Sequence, residues 1–283
     1  MNYLSKEALD HFISEALKED IGDGDHTSLS CIPANERGKA QLYVKDEGIL
    51  AGIELARMIF HYIDPEIEID FSKKDGDKAK FGEKAFTVRG KIQDILKAER
   101  LVLNCMQRMS GIATATHRMN ALISHTQTKL LDTRKTTPNF RIPEKWAVAI
   151  GGGVNHRFGL FDMILLKDNH IDFAGGIKEA IEAAKTYIKQ TGKTLKIEVE
   201  TRDLSEVEQA LEAGGIFRIM LDNMSVEEMT EAIRLINKRY QTEASGGITE
   251  ENIKEIAETG VDYISVGALT HYIRSLDLSL KAI

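Results

Sequence analysis

Apolar residues recur at helical spacing between Ser5 and Glu19, where Leu9, Phe12, Ile13, Ala16 and Leu17 make one stripe, so the pattern opens with an amphipathic helix. Two glycines and two aspartates at Ile21-Gly22-Asp23-Gly24-Asp25, with Asp20 just before them, close it in a tight loop. Alternation then predicts short strands at Arg37–Asp46 (Ala40, Leu42, Val44), Glu66–Phe71 and Lys84–Lys91, with a helix at Ile53–Ile63. This first part reads as an α+β domain with an open sheet. A long helical pattern over Ile92–Ile123 follows, expected to break near Ser110-Gly111, where the first domain hands over to the second.

After Gln127 the pattern becomes strand then helix, repeatedly. Strands are predicted at Lys129–Leu131, Met163–Leu166, Leu195–Val199, Phe217–Leu221, Thr242–Ala244 and Tyr263–Val266, and helices at Ile177–Ile188, Ser205–Ala213, Val226–Arg239 and Glu250–Thr259. Such alternation means a parallel sheet. Without a Gly-x-Gly-x-x-Gly turn it favours an α/β barrel over a dinucleotide-binding open sheet.

Composition narrows the picture. Apolar content of 42% and charged content of 29% describe an ordinary globular chain, and no apolar run reaches the ~18 residues of a membrane span. The N-terminal MNYLSKEALDHF is amphipathic and unlike a signal peptide, so a cytoplasmic protein is expected. Cys31 and Cys105 have no metal-site spacing and are both read as buried small apolar groups. A net charge of −7 without a basic run points away from nucleic acid and membrane surfaces as partners.

One stretch departs from that balance. Asp132–His170 carries six Lys/Arg against four Asp/Glu, a local +2 in an acidic chain. Converging cations repel unless an anion lies among them, so this island predicts an anionic ligand. Function in an α/β barrel sits at the carboxyl ends of strands. Those ends read Asp132-Thr133-Arg134-Lys135, Lys167-Asp168-Asn169-His170, Glu200, Asp222-Asn223, Ser245-Gly246-Gly247 and Gly267-Ala268. Arg134, Lys135, His156, Arg157 and Lys167 suit a ligand with more than one carboxylate. Glu200 and Asp222 offer hard oxygens for magnesium or for sugar hydroxyls, and Ser245-Gly246-Gly247 with Gly267 suits a phosphate. The bland readings are helix caps and solvated charges. His11, His26, His61, His117 and His125 show no partner in sequence, His170 reads as orienting its strand end, and Trp146 reads as a packing anchor.

The motifs then become specific. Glu19-Asp20-Ile21-Gly22 with Asp25-His26-Thr27-Ser28, Glu99-Arg100-Leu101 with Ser110-Gly111-Ile112-Ala113-Thr114, Asp132 to Pro138, Gly151-Gly152-Gly153 with Asn155-His156-Arg157, Lys167 to His170, and Ser245 to Ile248 stand in the order found in the quinolinate phosphoribosyltransferase family, which the chain resembles nearly end to end. Asn139-Phe140 departs from the Gly-Leu many members have; Asn is the next-best residue for a left-handed backbone.

The resemblance implies an N-terminal α+β open-sheet domain (1–110, with 272–283 returning to it) and an incomplete six-stranded α/β barrel (111–271) of the type II phosphoribosyltransferase kind. It implies transfer of a phosphoribosyl group from phosphoribosyl pyrophosphate to quinolinate with decarboxylation, as a step of NAD biosynthesis, with Mg2+ as cofactor. By the same resemblance Arg134, His156, Arg157 and Lys167 hold the pyridine carboxylates, and Lys135 lies near the departing carboxylate and pyrophosphate. Glu200 and Asp222 take ribose and metal. Ser245, Gly246, Gly247, Gly267 and His271 take the 5′-phosphate. Arg100 would enter a partner's barrel, making a homodimer with shared active sites. The rival readings are a molybdenum-associated paralogue, a nicotinate phosphoribosyltransferase and a non-catalytic phosphosugar-binding barrel.

Overall fold

A computed structural model describes residues 3–283, which fall into two compact units: residues up to His117 with Thr136–Gly152 and Leu269–Ile283, and Arg118–Lys135 with Gly153–Ala268. In chain order the first stretch holds α1 (Lys6–Ile21), α2 (His26–Cys31), β1 (Arg37–Val44), β2 (Gly48–Ile49), α3 (Ile53–Ile63), β3 (Glu68–Phe71), β4 (Lys78–Ala79), β5 (Lys84–Lys91) and α4 (Ile92–Leu122). Then come β6 (Lys129–Leu131), α5 (Arg141–Ile150), β7 (Ile164–Leu166), α6 (Asp168–Ala174), α7 (Ile177–Thr191), β8 (Ile197–Thr201), α8 (Leu204–Ala213) and β9 (Arg218–Asp222). The chain ends with α9 (Val226–Ile236), β10 (Gln241–Ser245), α10 (Ile253–Glu258), β11 (Tyr263–Ser265), α11 (Ala268–His271) and β12 (Leu278–Ala282). No helix among the described residues is long and apolar enough to cross a membrane.

The first unit is built on an antiparallel sheet in the order β12-β1-β5-β3. Its buried face carries Leu42, Val44, Phe86 and Val88, and Phe86 meets Phe60 of α3 edge to face at 6.1 Å between ring centroids. Helix α3 starts where the Asp75 carboxylate accepts from the amides of Ile53 (2.9 Å) and Glu54 (3.3 Å), satisfying two of the donors a helix start leaves open.

The expected break at Ser110-Gly111 does not occur: α4 runs unbroken for 31 residues. Both residues have work across the helix surface instead. Ser110 Oγ accepts from Ala51 N at 2.9 Å and donates to Ala51 O at 3.2 Å. A Cβ on Gly111 would lie 2.3 Å from Arg274 O, so the glycine is there for close approach rather than for a turn. The burial expected of both cysteines holds for Cys105 but not for Cys31, which is exposed on the short helix α2, its thiol facing Thr27 O at 3.1 Å.

The second unit is a parallel sheet of six strands in the order β6-β11-β10-β9-β8-β7. Each strand pairs with the next, and β6 and β7 remain as two edges, so the barrel is open between them; a bridge from Leu131 to Val154 extends the β6 side. Predicted and observed strands agree within two residues at either end. The helices between them have sequence-legible ends: Ser225 and Glu228 form a capping box on α9, and Asn237 ends it with φ +47°. On β8 every residue is buried, which places Glu198 and Glu200 inside and Val199 on the opposite face.

Candidate active site

The carboxyl ends of β6 and β7 build the cationic part. Asp132, fully buried at the end of β6, accepts from His156 N at 2.8 Å and from Asn155 Nδ2 at 2.6 Å, pinning the loop that carries Asn155-His156-Arg157. Arg157 Nη1 donates to Met163 O at 3.1 Å. Arg134 Nε is buried without a hydrogen-bond partner. Burial, and after it the nearby charge of Arg134, pull the Arg157 pKa below the ordinary guanidinium range. Two guanidinium groups held close, one with an unanswered buried donor, make a hole of positive potential.

Lys135 follows Arg134, with its amide donating to Thr133 Oγ1 at 3.0 Å. Its side chain crosses Gly267, where a Cβ would lie 3.1 Å from Lys135 Cδ, so the end of β11 is glycine because Lys135 passes over it. Lys167, after β7, donates from Nζ to Glu200 Oε2 at 3.0 Å. The His170 ring accepts from Lys167 N at 3.1 Å and orients that strand end, as expected from sequence.

Glu200 and Asp222 lie on neighbouring strands with their side chains on the same face, since Glu200 pairs with Met220 and Asp222 is two residues further along. Asn223, at φ +55°, donates to Asp222 Oδ2 at 2.6 Å and fixes that carboxylate. Gly246, at φ +94°, has room only for hydrogen, because a Cβ would lie 2.1 Å from Asn223 Oδ1. Two carboxylates backed in this way, opening toward Ser245-Gly246-Gly247, are hard donors of the kind a Mg2+ ion takes together with phosphates and water.

His156 occupies a different place from the other cations. Its side chain is only 6% exposed, with Nε2 at 2.9 Å from Glu198 and 3.4 Å from Glu243. Burial lowers its pKa, but contacts with the two carboxylates outweigh this and push it up to about 9. The Arg157 amide, however, donates to Nδ1 at 2.7 Å, which requires a lone pair there. The direction of an amide hydrogen is set by the backbone, so Nδ1 faces the Arg157 amide and Nε2 faces the two carboxylates. Burial, and after it the charge of Glu243, raise the Glu198 pKa. Glu243 is held down by His156 and Arg218 against the effect of burial. The donor atoms of His156, Glu198 and Glu243 lie within 4.8 Å of one another, but Arg218 Nη1, at 2.7 Å from Glu243, already supplies the positive charge a metal would bring.

Sequence reasoning missed Glu198, Arg218 and Glu243. The signal was there: ionisable residues at inward positions of strands buried on both faces must find partners. Arg100, on α4, and His271, at the end of α11, belong to the first unit, and both are exposed. Asn139 has φ +61°, the left-handed conformation expected of it.

Comparison with known proteins decides the family. Residues 25–110 match the family model for the quinolinate phosphoribosyl transferase N-terminal domain and residues 112–281 that for its C-terminal domain. The chain belongs to the quinolinate phosphoribosyltransferase family. Within that family it is 49% identical over 284 residues to quinolinate phosphoribosyltransferase [decarboxylating] 1b of Nicotiana tabacum, covering 95% of this chain and 81% of the relative. It is 47% identical, with the same coverage, to the chloroplastic nicotinate-nucleotide pyrophosphorylase [carboxylating] of Arabidopsis thaliana. Among solved structures, NadC from Streptococcus pyogenes superposes with a TM-score of 0.91 at 38% identity, covering 99% of both chains.

Proposed function

We propose that this chain transfers the phosphoribosyl group of phosphoribosyl pyrophosphate to quinolinate and releases one carboxylate, giving nicotinate mononucleotide, pyrophosphate and CO2. The observation that carries this reading is the pair Arg134 and Arg157, two close cations with an unanswered buried donor between strand ends. A ligand with two adjacent carboxylates satisfies both guanidinium groups; a single carboxylate satisfies one. Lys135 and Lys167 flank that space by their place at the same strand ends.

No protein nucleophile is required. The pyridine nitrogen bonds to the ribosyl carbon as the bond to pyrophosphate breaks. The positive ring then accepts the electron pair of the bond to the adjacent carboxylate, CO2 leaves, and a proton takes its place. The Arg/Lys set contributes by holding the dianion beside the reacting carbon, a proximity effect that supplies several kcal/mol, with ~7–11 kcal/mol as its upper range. Glu200 and Asp222 stabilise the cation-like ribosyl carbon electrostatically. The same two carboxylates would hold Mg2+, which when bound would neutralise charge on the pyrophosphate. Ser245, Gly246, Gly247 and Gly267 are assigned to the 5′-phosphate.

A homodimer belongs to the same proposal, with Arg100 entering the partner's site. The exposed neighbours Leu160 (71%) and Phe161 (72%) support a covered face, since adjacent side chains of this size rarely stand bare. Cytoplasmic residence is proposed as well; the free, exposed Cys31 suits a reducing compartment.

The test is CO2 release from carboxyl-labelled quinolinate, with phosphoribosyl pyrophosphate and magnesium each omitted in turn. Release that depends on both is expected. Turnover of nicotinate with no release from quinolinate would replace this reading with that of a nicotinate enzyme, and phosphosugar binding without turnover would leave a binding barrel.

A further inference from the structure

The inside of an α/β barrel is ordinarily filled by branched apolar side chains from alternate strand positions. Here three neighbouring strands place Glu198, Arg218 and Glu243 there, each no more than 8% exposed. Buried ions of this kind cost several kcal/mol each in desolvation and are frequently matched or bettered by apolar replacements, so stability alone is a poor reason for them.

Their contacts run in one direction. Arg218 Nη1 lies 2.7 Å from Glu243 and 3.7 Å from Glu198, and Nη2 donates to Gln241 Oε1 at 3.2 Å. The guanidinium also stacks 4.4 Å from the centre of the Tyr263 ring, which holds it in place. Both carboxylates then meet His156 Nε2, at 2.9 and 3.4 Å. The other ring nitrogen takes the Arg157 amide at 2.7 Å, so both His156 nitrogens face protein groups.

We propose that Glu198 and Glu243, braced by Arg218, are positioning residues for the dicarboxylate site: they hold the His156 ring from inside the barrel, and the ring holds the Arg157 main chain so that its guanidinium faces the anion. This rests on the assignment of Arg134 and Arg157 to quinolinate made above.

The test uses Glu198→Met, which removes the carboxylate, keeps the volume and leaves the Arg218–Glu243 pair intact; Glu198→Leu replaces it should the Met variant not fold. The expected result is a quinolinate KM raised about tenfold, the lower end of what losing an outer-shell partner costs. The KM for phosphoribosyl pyrophosphate should stay within about twofold, because the phosphate end is untouched. Hydrogen exchange at the Arg157 amide should accelerate, and Glu198→Gln, which restores an oxygen at the same place, should reverse both changes. An unchanged quinolinate KM, or an equal rise in both KM values, would overturn the proposal, since a merely structural cluster acts on neither substrate selectively. If the wild-type protein releases no CO2 from quinolinate, the assignment of function fails by itself. The exchange measurement then still decides whether the cluster positions Arg157, with unaltered exchange in Glu198→Met sinking the idea.

Discussion

Arg134 shows how a side chain can cost the fold something and still be required. Its buried Nε lacks a partner and its charge sits near that of Arg157, so the folded protein without substrate holds it at a loss. Arg134→Ala is therefore expected to leave the melting temperature unchanged or higher, while weakening quinolinate about 100-fold or more, as two charge-assisted hydrogen bonds at ~1.5 kcal/mol each would give. Thermal melts beside a quinolinate titration check both halves, and a variant that loses stability in step with affinity would contradict the account. The identity of this residue was legible in sequence as part of a cationic island; the burial of its Nε was not, because burial depends on which strands surround it. His156 makes the same point more sharply. Its place in Asn155-His156-Arg157 marked it as a site residue, but the spacing carries no trace of Glu198 and Glu243, which are 42 and 87 positions away in the sequence.

At the scale of elements, periodicity located every strand of the barrel because a parallel strand buried on both faces reads as a short apolar run. It failed at α4, where Ser110-Gly111 reads as punctuation. Local propensity rates glycine about 1 kcal/mol below alanine in a helix interior, so Gly111→Ala would be expected to stabilise an isolated helix. In this protein the added Cβ would lie 2.3 Å from Arg274 O, and backbone there cannot yield without moving the segment that leads into β12. Gly111→Ala should thus lower stability by roughly 1–3 kcal/mol, the usual cost of overpacking. Urea unfolding of the two proteins decides the sign, and a stabilised variant would mean the segment near Arg274 moves aside freely. Tertiary contact overrides propensity here by a margin larger than the propensity itself.

At the scale of the whole molecule, the proposed sharing of sites makes a prediction no single chain can. Arg100→Ala and Arg134→Ala should each be inactive, and mixing them should restore about a quarter of native activity, because half of randomly exchanged dimers are mixed and each has one intact site. No recovery after demonstrated subunit exchange would remove Arg100 from the partner's site. What the sequence determined by itself was the class of the fold, the order of its strands and the residue types at their carboxyl ends. These follow from local periodicity and from the rule that barrel function gathers at one end of the sheet. Only the tertiary structure decided that β6 and β7 stay unpaired, that the long helix passes through Ser110-Gly111, and that His156 turns inward onto Glu198 and Glu243. The last two outcomes depend on groups far apart in the chain meeting at close range, Ser110 with Ala51 at 2.9 Å and His156 with Glu198 at 2.9 Å, and pairing energies at that range have no counterpart in the local pattern.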